Sequence, residues 1–88
     1  MPTLTNNKTR TVFATGVRFD KNKLYVSLSD YKEICLPVDK IDWLGWLAKA
    51  TSKQRANWSI ESGGFAIYWK NLDDGIEVCH LLSMQPIF

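Results

Sequence analysis

Histidine and cysteine are scarce in this 88-residue sequence, which has one histidine and two cysteines. The cysteines, Cys35 and Cys79, stand far apart, and His80 has no second histidine beside it. A zinc-type site needs several such ligands at short spacing, so this composition excludes one, and we predict no metal and no cofactor. Both cysteines lie among apolar residues, in "EICLP" and "EVCHLL". We therefore predict two buried free thiols.

Long apolar runs and a strong charge of one sign are also missing. No run reaches the length that spans a membrane, and "MPTLTNNKT" at the start lacks the apolar segment of a signal peptide. The net charge is +2, with 45% apolar and 23% charged residues. This balance predicts a folded cytoplasmic protein with one domain over residues 1–88 and no membrane partner.

The charge that is present is unevenly distributed. Residues 1–23 carry five cations against one acid, a net charge of +4. Of these cations, Arg10, Arg18, Lys21 and Lys23 could contact the phosphates of a nucleic acid. The whole chain nevertheless lacks the strongly basic stripe of dedicated nucleic-acid-binding domains. Nucleic-acid binding is therefore the alternative functional hypothesis, beside the simpler interpretation of a solvated chain end.

The alternation of apolar and polar residues predicts an α+β fold built on a small antiparallel sheet. "LYVSLSD" places Leu24, Val26 and Leu28 on one face. In "TVFATGVRFD", Gly16 interrupts the alternation and indicates a bulge, while "EICLP" is closed by Pro37, which cannot donate to a strand ladder. Residues up to Pro37 are therefore predicted to form a three-stranded meander.

The second half of the sequence predicts two short helices and a hairpin. "DKIDWLGWLAKA" has helical spacing, and Asp39 or Asp42 can cap its start. Thr51 and Gln54 have the spacing of a capping box, so a second helix should begin near Ser52 and end near Asn57.

The segment "WSIESGGFAIYW" predicts the hairpin, with Gly63 and Gly64 supplying a turn of positive φ. Trp58 and Trp69 should meet across it as a cross-strand pair. "IEVCHLL" follows as a final strand or a short turn of helix. The predicted core comprises Val26, Leu28, Ile34, Leu47, Trp58 and Ile67.

Several segments in this order resemble one known family. They are "VRFD", "LYVSLSD", "ICLP", "LAKAT", "QRANW", "GGFAIYW", "LDDGIEV" and "LL", and together they cover roughly residues 12–82. The ordered set resembles the bacterial domain-of-unknown-function family numbered 2442. The resemblance implies a small α+β domain and no enzymatic activity. Some relatives are fused to a helix-turn-helix, and others are encoded beside another small protein in arrangements that suggest a toxin–antitoxin pair.

Two features depart from the family pattern. Tyr68 stands where many relatives have histidine, which argues against a general base at that position. The segment "DWLGW" makes the first helix look about one turn longer than usual. Within it, Gly45 disfavours a helix by about 1 kcal/mol relative to alanine. Because glycine has no side chain, another backbone or a bulky ring could approach the helix there.

The tryptophan-rich segment carries the main functional hypothesis, which is a protein-interaction or regulatory module. Four large apolar residues within five positions surround more than half of a helix, so a small core leaves some of them for a partner. The residues predicted to bind the partner, another protein or a second copy, are Trp43, Leu44, Trp46 and Arg55. For Arg55 we predict a structural role first, in which its guanidinium pairs with a carboxylate or with backbone carbonyls and fixes its helix against the hairpin, and a phosphate or partner contact is the alternative.

Catalysis is not predicted. General acid–base and nucleophilic mechanisms need an activated group with a partner, and His80 is the only histidine. Asp73 and Asp74 are adjacent in a loop, where they could hold a cation or simply form a solvated turn.

Overall fold

The computed structural model describes residues 12–83 of the chain, which form two antiparallel sheets and three short helices. The strands are β1 (Ala14–Asp20), β2 (Lys23–Leu28), β3 (Glu33–Pro37), β4 (Trp58–Glu61), β5 (Ala66–Trp69) and β6 (Asp74–Glu77). The α-helices are α1 (Gly45–Ala48), α2 (Ser52–Ala56) and α3 (Val78–Ser83). Single 3-10 turns cover Asp42–Leu44, Ser62–Gly64 and Lys70–Leu72. The predicted α+β class is confirmed.

The first sheet is the meander that the alternating pattern predicts, in the order β1-β2-β3. Leu24, Val26 and Leu28 are buried along β2, and their neighbours on the strand are not. The pairing of β1 with β2 shifts register between Ala14 and Gly16, which places the bulge where Gly16 interrupts the pattern.

The second sheet has three strands, in the order β4-β5-β6. The predicted hairpin is its first two strands, and Trp58 pairs with Trp69 as expected. Gly63 and Gly64 have φ values of 68° and 100° in the connecting turn, which a residue with a side chain rarely adopts. For "IEVCHLL" the sequence left a strand and a turn of helix open, and the structure has both: β6 ends at Glu77 and α3 begins at Val78.

The first of the two predicted helices, in "DKIDWLGWLAKA", differs from the single capped helix that we expected there. Asp42–Leu44 is a 3-10 turn and Gly45–Ala48 is one α-turn, and neither start has a side-chain cap from Asp39 or Asp42. The caps were predicted from residue type alone. The residue at the N-cap position of the 3-10 turn is Ile41, which has no side chain that can cap. The second helix is as predicted: the Thr51 hydroxyl accepts from Gln54 N at 3.1 Å, and the Gln54 side chain accepts from Thr51 N at 2.9 Å.

The core lies between the inner faces of both sheets and the helices. Its largest fully buried side chains include Trp69, Leu24, Leu44, Leu47 and Leu81. Five of the six predicted core residues are buried, but Trp58 is half-buried. The alternation along the hairpin does not distinguish Trp58 from its cross-strand partner, and it is Trp69, on the central strand of this sheet, that is covered from all sides.

Both cysteines are free, and both are exposed, so the prediction of buried thiols is wrong. The reason for Cys35 is the period of the strand: Ile34 and Leu36 point into the core, and the residue between them points out. Cys79 follows the buried Val78 on α3 and lies on the outer side of that helix. Within residues 12–83, no helix is long and apolar enough to cross a membrane.

Candidate functional site

The tryptophan-rich segment divides into a buried side and a half-buried side. Leu44 and Leu47 are fully buried in the core. Trp43 and Trp46 are half-buried, and both pack against the edge of the core with part of each ring exposed. Leu44 is therefore not available as a partner-binding residue, contrary to our prediction. Leu44 and Leu47 together form the covered side of this short segment.

The two indoles are held by contacts within the chain. Trp46 meets the ring of Trp69 edge to face at 5.6 Å, and its Nε1–H donates to the Trp43 carbonyl at 2.9 Å. Trp43 meets the His80 ring edge to face at 4.8 Å. Because the Trp46 N–H is already bonded, a partner could cover this indole without leaving that donor unsatisfied.

Gly45 separates these two tryptophans and is unexplained by the fold itself. Its φ and ψ of −55° and −32° are ordinary helical values that any residue adopts. A Cβ placed on Gly45 would meet nothing within 4 Å. The close intrachain approach that the sequence suggested is therefore absent among the described residues, and the space above Gly45 is open. We call Trp43, Gly45 and Trp46 the tryptophan face.

Arg55, on α2, ties three parts of the chain together. Its Nε donates to the Leu47 carbonyl at 3.0 Å and its Nη2 to the Ala48 carbonyl at 3.2 Å, at the end of α1. In the β1–β2 turn, Nη1 donates to the Lys21 carbonyl at 2.9 Å and Nη2 to the Asn22 Oδ1 at 3.1 Å. The predicted pairing with backbone carbonyls is confirmed.

The attachment of α2 to the hairpin is made by the main chain of Arg55 rather than by its guanidinium. Trp69 Nε1–H donates to the Arg55 carbonyl at 3.0 Å. The guanidinium faces the first sheet instead, with its Cζ 5.3 Å from the centre of the Phe19 ring. Arg55 is thus a bridge between the two halves of the fold.

A cleft of about 550 Å³ opens beside this bridge, between the β1–β2 turn and α2. Arg18, Lys21 and Arg55 contribute cations to its lining, and Phe19 and Trp58 contribute aromatic rings. The remaining lining residues are Asn22, Ser52 and Ala56. Of the cations predicted to contact nucleic acid, Arg18 and Lys21 are therefore brought together here, while Lys23 is exposed outside this cleft and Arg10 lies outside the described residues.

The cations of this cleft differ in how they are compensated. Arg18 forms an exposed ion pair with Glu33 at 3.2 Å, and its Cζ lies 3.9 Å from the centre of the Tyr25 ring. Among the described residues, neither Lys21 nor Arg55 forms an ion pair. All four hydrogen bonds of the Arg55 guanidinium go to neutral oxygens, so its positive charge is left without a counter-charge from those residues.

Two tyrosines have raised pKa values. The Tyr68 hydroxyl donates to Asp73 Oδ1 at 2.7 Å, and this bond to a carboxylate raises the pKa of Tyr68 because it favours the protonated phenol. The pKa of Tyr25 is raised mainly by a hydrogen bond with Cys35, its neighbour across the β2–β3 pair.

The carboxylates of Asp73 and Asp74 accept hydrogen bonds from residues close to them in the chain. Asp73 accepts from Tyr68, and Asp74 Oδ1 accepts from Gly75 N at 2.8 Å. No group of three or more His, Cys, Asp or Glu residues suited to a metal ion occurs between residues 12 and 83.

The sequence did not reveal the cleft. Lys21 and Arg55 are 34 residues apart, and Trp58 was assigned to the core. The signal available in the sequence was the segment "TSKQRANW", in which no acidic residue neutralises Arg55.

Comparisons with known proteins agree on the fold and give no activity. A crystal structure of a protein of unknown function from Rhodospirillum rubrum ATCC 11170 is similar, with a TM-score of 0.68 and 20% sequence identity over 82% of this chain and 86% of that one. No curated protein matches the chain. The sequence model of the family described as "Protein of unknown function (DUF2442)" matches residues 14–83. Because that match spans most of the sequence, the chain belongs to the DUF2442 family.

Proposed function

We propose that this chain is a non-enzymatic regulatory module of the cytoplasm, the antitoxin-like member of a two-gene pair, and that it binds a partner protein through the tryptophan face. The partner is the product of the adjacent gene or a second copy of the chain. Trp43 and Trp46 are the contact residues. Arg55 is not itself a contact residue in this proposal, but it holds the end of α1 through the Leu47 and Ala48 carbonyls and so positions the face.

The observation that carries the proposal is Gly45. A glycine in a helix is unfavourable by about 1 kcal/mol relative to alanine, and here neither backbone conformation nor a neighbouring atom requires it. Gly45 is half-buried, and its absent side chain leaves open space beside the helix segment that carries both tryptophans. A side chain or backbone of a partner placed in that space would supply the missing reason for glycine.

The chemistry of the surroundings suits an interface. Tryptophan is enriched among the residues that dominate binding energies, especially beside small depressions with a polar rim. Asp42 and Lys49 are exposed at the two ends of the segment and can form such a rim. The non-enzymatic part of the proposal is supported by the sequence, in which His80 is the only histidine.

Gly45→Ala is the sharpest test because its two effects should have opposite signs. The methyl group meets nothing in the chain and the backbone is helical, so the free energy of unfolding should rise by about 0.5 kcal/mol. The same methyl group would occupy the open space that the partner is proposed to use, and association should weaken about tenfold. Chemical denaturation gives the first quantity. Sedimentation equilibrium, alone and with the adjacent gene product, gives the second.

Tyr31→Asn is the matched control. Tyr31 is 99% exposed on the β2–β3 turn, it is not part of the tryptophan face, and its φ of 70° suits asparagine. This variant should associate like the wild type. Equal association of Gly45→Ala and the wild type would contradict the proposal. So would a wild-type chain that stays monomeric and does not bind the adjacent gene product.

A further inference from the structure

We infer that the cleft between the β1–β2 turn and α2 binds a phosphate-bearing ligand of nucleotide size. This inference goes beyond the proposed function, because it concerns other residues and another kind of ligand than the tryptophan face. Its volume of about 550 Å³ lies within the range of small-molecule sites, roughly 300–1,000 Å³.

The charge of the lining selects an anion. Three of its eight residues are cationic and none of them is acidic. Lys21 is exposed at the turn and forms no ion pair with a described residue, so its ammonium is available to a ligand. The Arg55 guanidinium bonds only to neutral oxygens and adds an uncompensated positive charge at the back of the cleft. An anion placed between them would gain from both charges.

The backbone of Lys21 is held in place by the geometry of the β1–β2 turn. Its φ is 59°, and its carbonyl accepts from Arg55 Nη1 at 2.9 Å. The Asn22 side chain is held by the same guanidinium at 3.1 Å. These bonds hold the β1–β2 turn and α2, the two walls of the cleft, at a fixed separation. A site held together by the chain's own bonds loses little affinity to ordering on binding.

The aromatic residues of the lining select a ligand that is more than a phosphate ion. Trp58 is half-buried at the start of β4 and lines the cleft beside Phe19. An indole beside cationic groups can stack a planar base while the cations hold the phosphate. The shared chemistry is thus a phosphate with a base attached, whose source is either a free nucleotide or a nucleic-acid strand.

The experiment is a titration of the full chain with adenosine 5′-monophosphate, in which two-dimensional nitrogen–proton NMR spectra are recorded at each ligand concentration. The Trp58 indole signal and the Lys21 amide signal should shift together, and adenosine without the phosphate should leave them unchanged. Added salt should weaken binding, because the attraction is electrostatic. Lys21→Gln, which removes one charge and keeps a long side chain, should raise the Kd about tenfold.

Lys23→Gln is the matched control, since it removes the same charge two residues away, outside the lining. It should leave the Kd for adenosine 5′-monophosphate unchanged. A second titration uses a short single-stranded oligothymidylate. If the oligonucleotide binds more tightly than the mononucleotide and both variants weaken its binding, the source of the phosphate is a nucleic-acid strand. If only the mononucleotide binds, the source is a free nucleotide.

The inference is overturned if neither probe shifts the Trp58 and Lys21 signals. Equal weakening of mononucleotide binding by the two variants would also overturn it. If Lys21→Gln binds the partner protein as the wild type does, failure of nucleotide binding can be distinguished from failure of the proposed function of the tryptophan face.

Discussion

Trp69→Ala is expected to lower the free energy of unfolding by about 3–5 kcal/mol, the usual range for a buried tryptophan. Trp69 is fully buried and is the largest such side chain in the core. Its ring meets Trp46 at 5.6 Å and Phe19 at 6.4 Å, both edge to face, and its N–H bonds to the Arg55 carbonyl. Truncation would therefore leave a large cavity at the point where both sheets and α2 meet. Urea denaturation monitored by circular dichroism measures the loss.

Two related variants divide this effect into its parts. Trp69→Phe keeps a ring but loses the bond to the Arg55 carbonyl and some volume, and it should be destabilised by about 1–2 kcal/mol. Trp58→Ala removes a half-buried ring across the same strand pair and should also be destabilised by about 1–2 kcal/mol. A loss for Trp58→Ala equal to that of Trp69→Ala would contradict the burial difference between the paired tryptophans.

Arg55→Lys should have the next largest effect, a loss of about 2 kcal/mol in the free energy of unfolding. Lysine keeps the charge but cannot reproduce the planar fork that reaches the Lys21 turn and the end of α1 together. The Lys21 and Ala48 carbonyls would lose the Arg55 donor, whereas the Leu47 carbonyl would still accept from Ala50 N. An unpaired, partly buried carbonyl is unfavourable by about 1–3 kcal/mol. Thermal unfolding at neutral pH measures the change.

Arg18→Lys provides the control for charge and side-chain length. Arg18 lies on the surface, where its ion pair with Glu33 is 57% and 38% exposed at the two side chains. Exposed pairs of this kind contribute about 0–1 kcal/mol, so this variant should melt close to the wild type. An unchanged melting temperature for Arg55→Lys would mean that the hydrogen bonds of Arg55 contribute little to stability.

Much of the fold could be predicted because its signals are local. The alternation along β2 fixes which face is buried, and the cross-strand pairing of Trp58 with Trp69 follows from the hairpin turn. The capping box of Thr51 needs only the four residues that form it. Each of these predictions depends on neighbours in sequence, and each is confirmed.

The failed predictions for "DWLGW" depend on which residues of the fold lie above each side chain in space. Leu44 and Trp46 are both large and apolar, and nothing in "DWLGW" says which of them the sheets cover. Helical spacing was assumed over the whole segment, whereas a 3-10 turn occupies its first half and rotates the side chains differently. The cleft likewise required the packing of α2 against a turn more than thirty residues earlier in the chain.

The order of strands within the two sheets has a consequence for the speed and sequence of folding. Within each sheet, strands pair only with strands that adjoin them along the chain, so closing each turn requires little loss of chain entropy. The bonds from Arg55 to the β1–β2 turn span 33 and 34 residues and close a much longer loop. We expect each meander to form before that loop closes. In stopped-flow experiments Val26→Ala, within the first meander, should slow folding, while Arg55→Lys should mainly accelerate unfolding. A reduced folding rate for Arg55→Lys would instead place the long closure in the transition state.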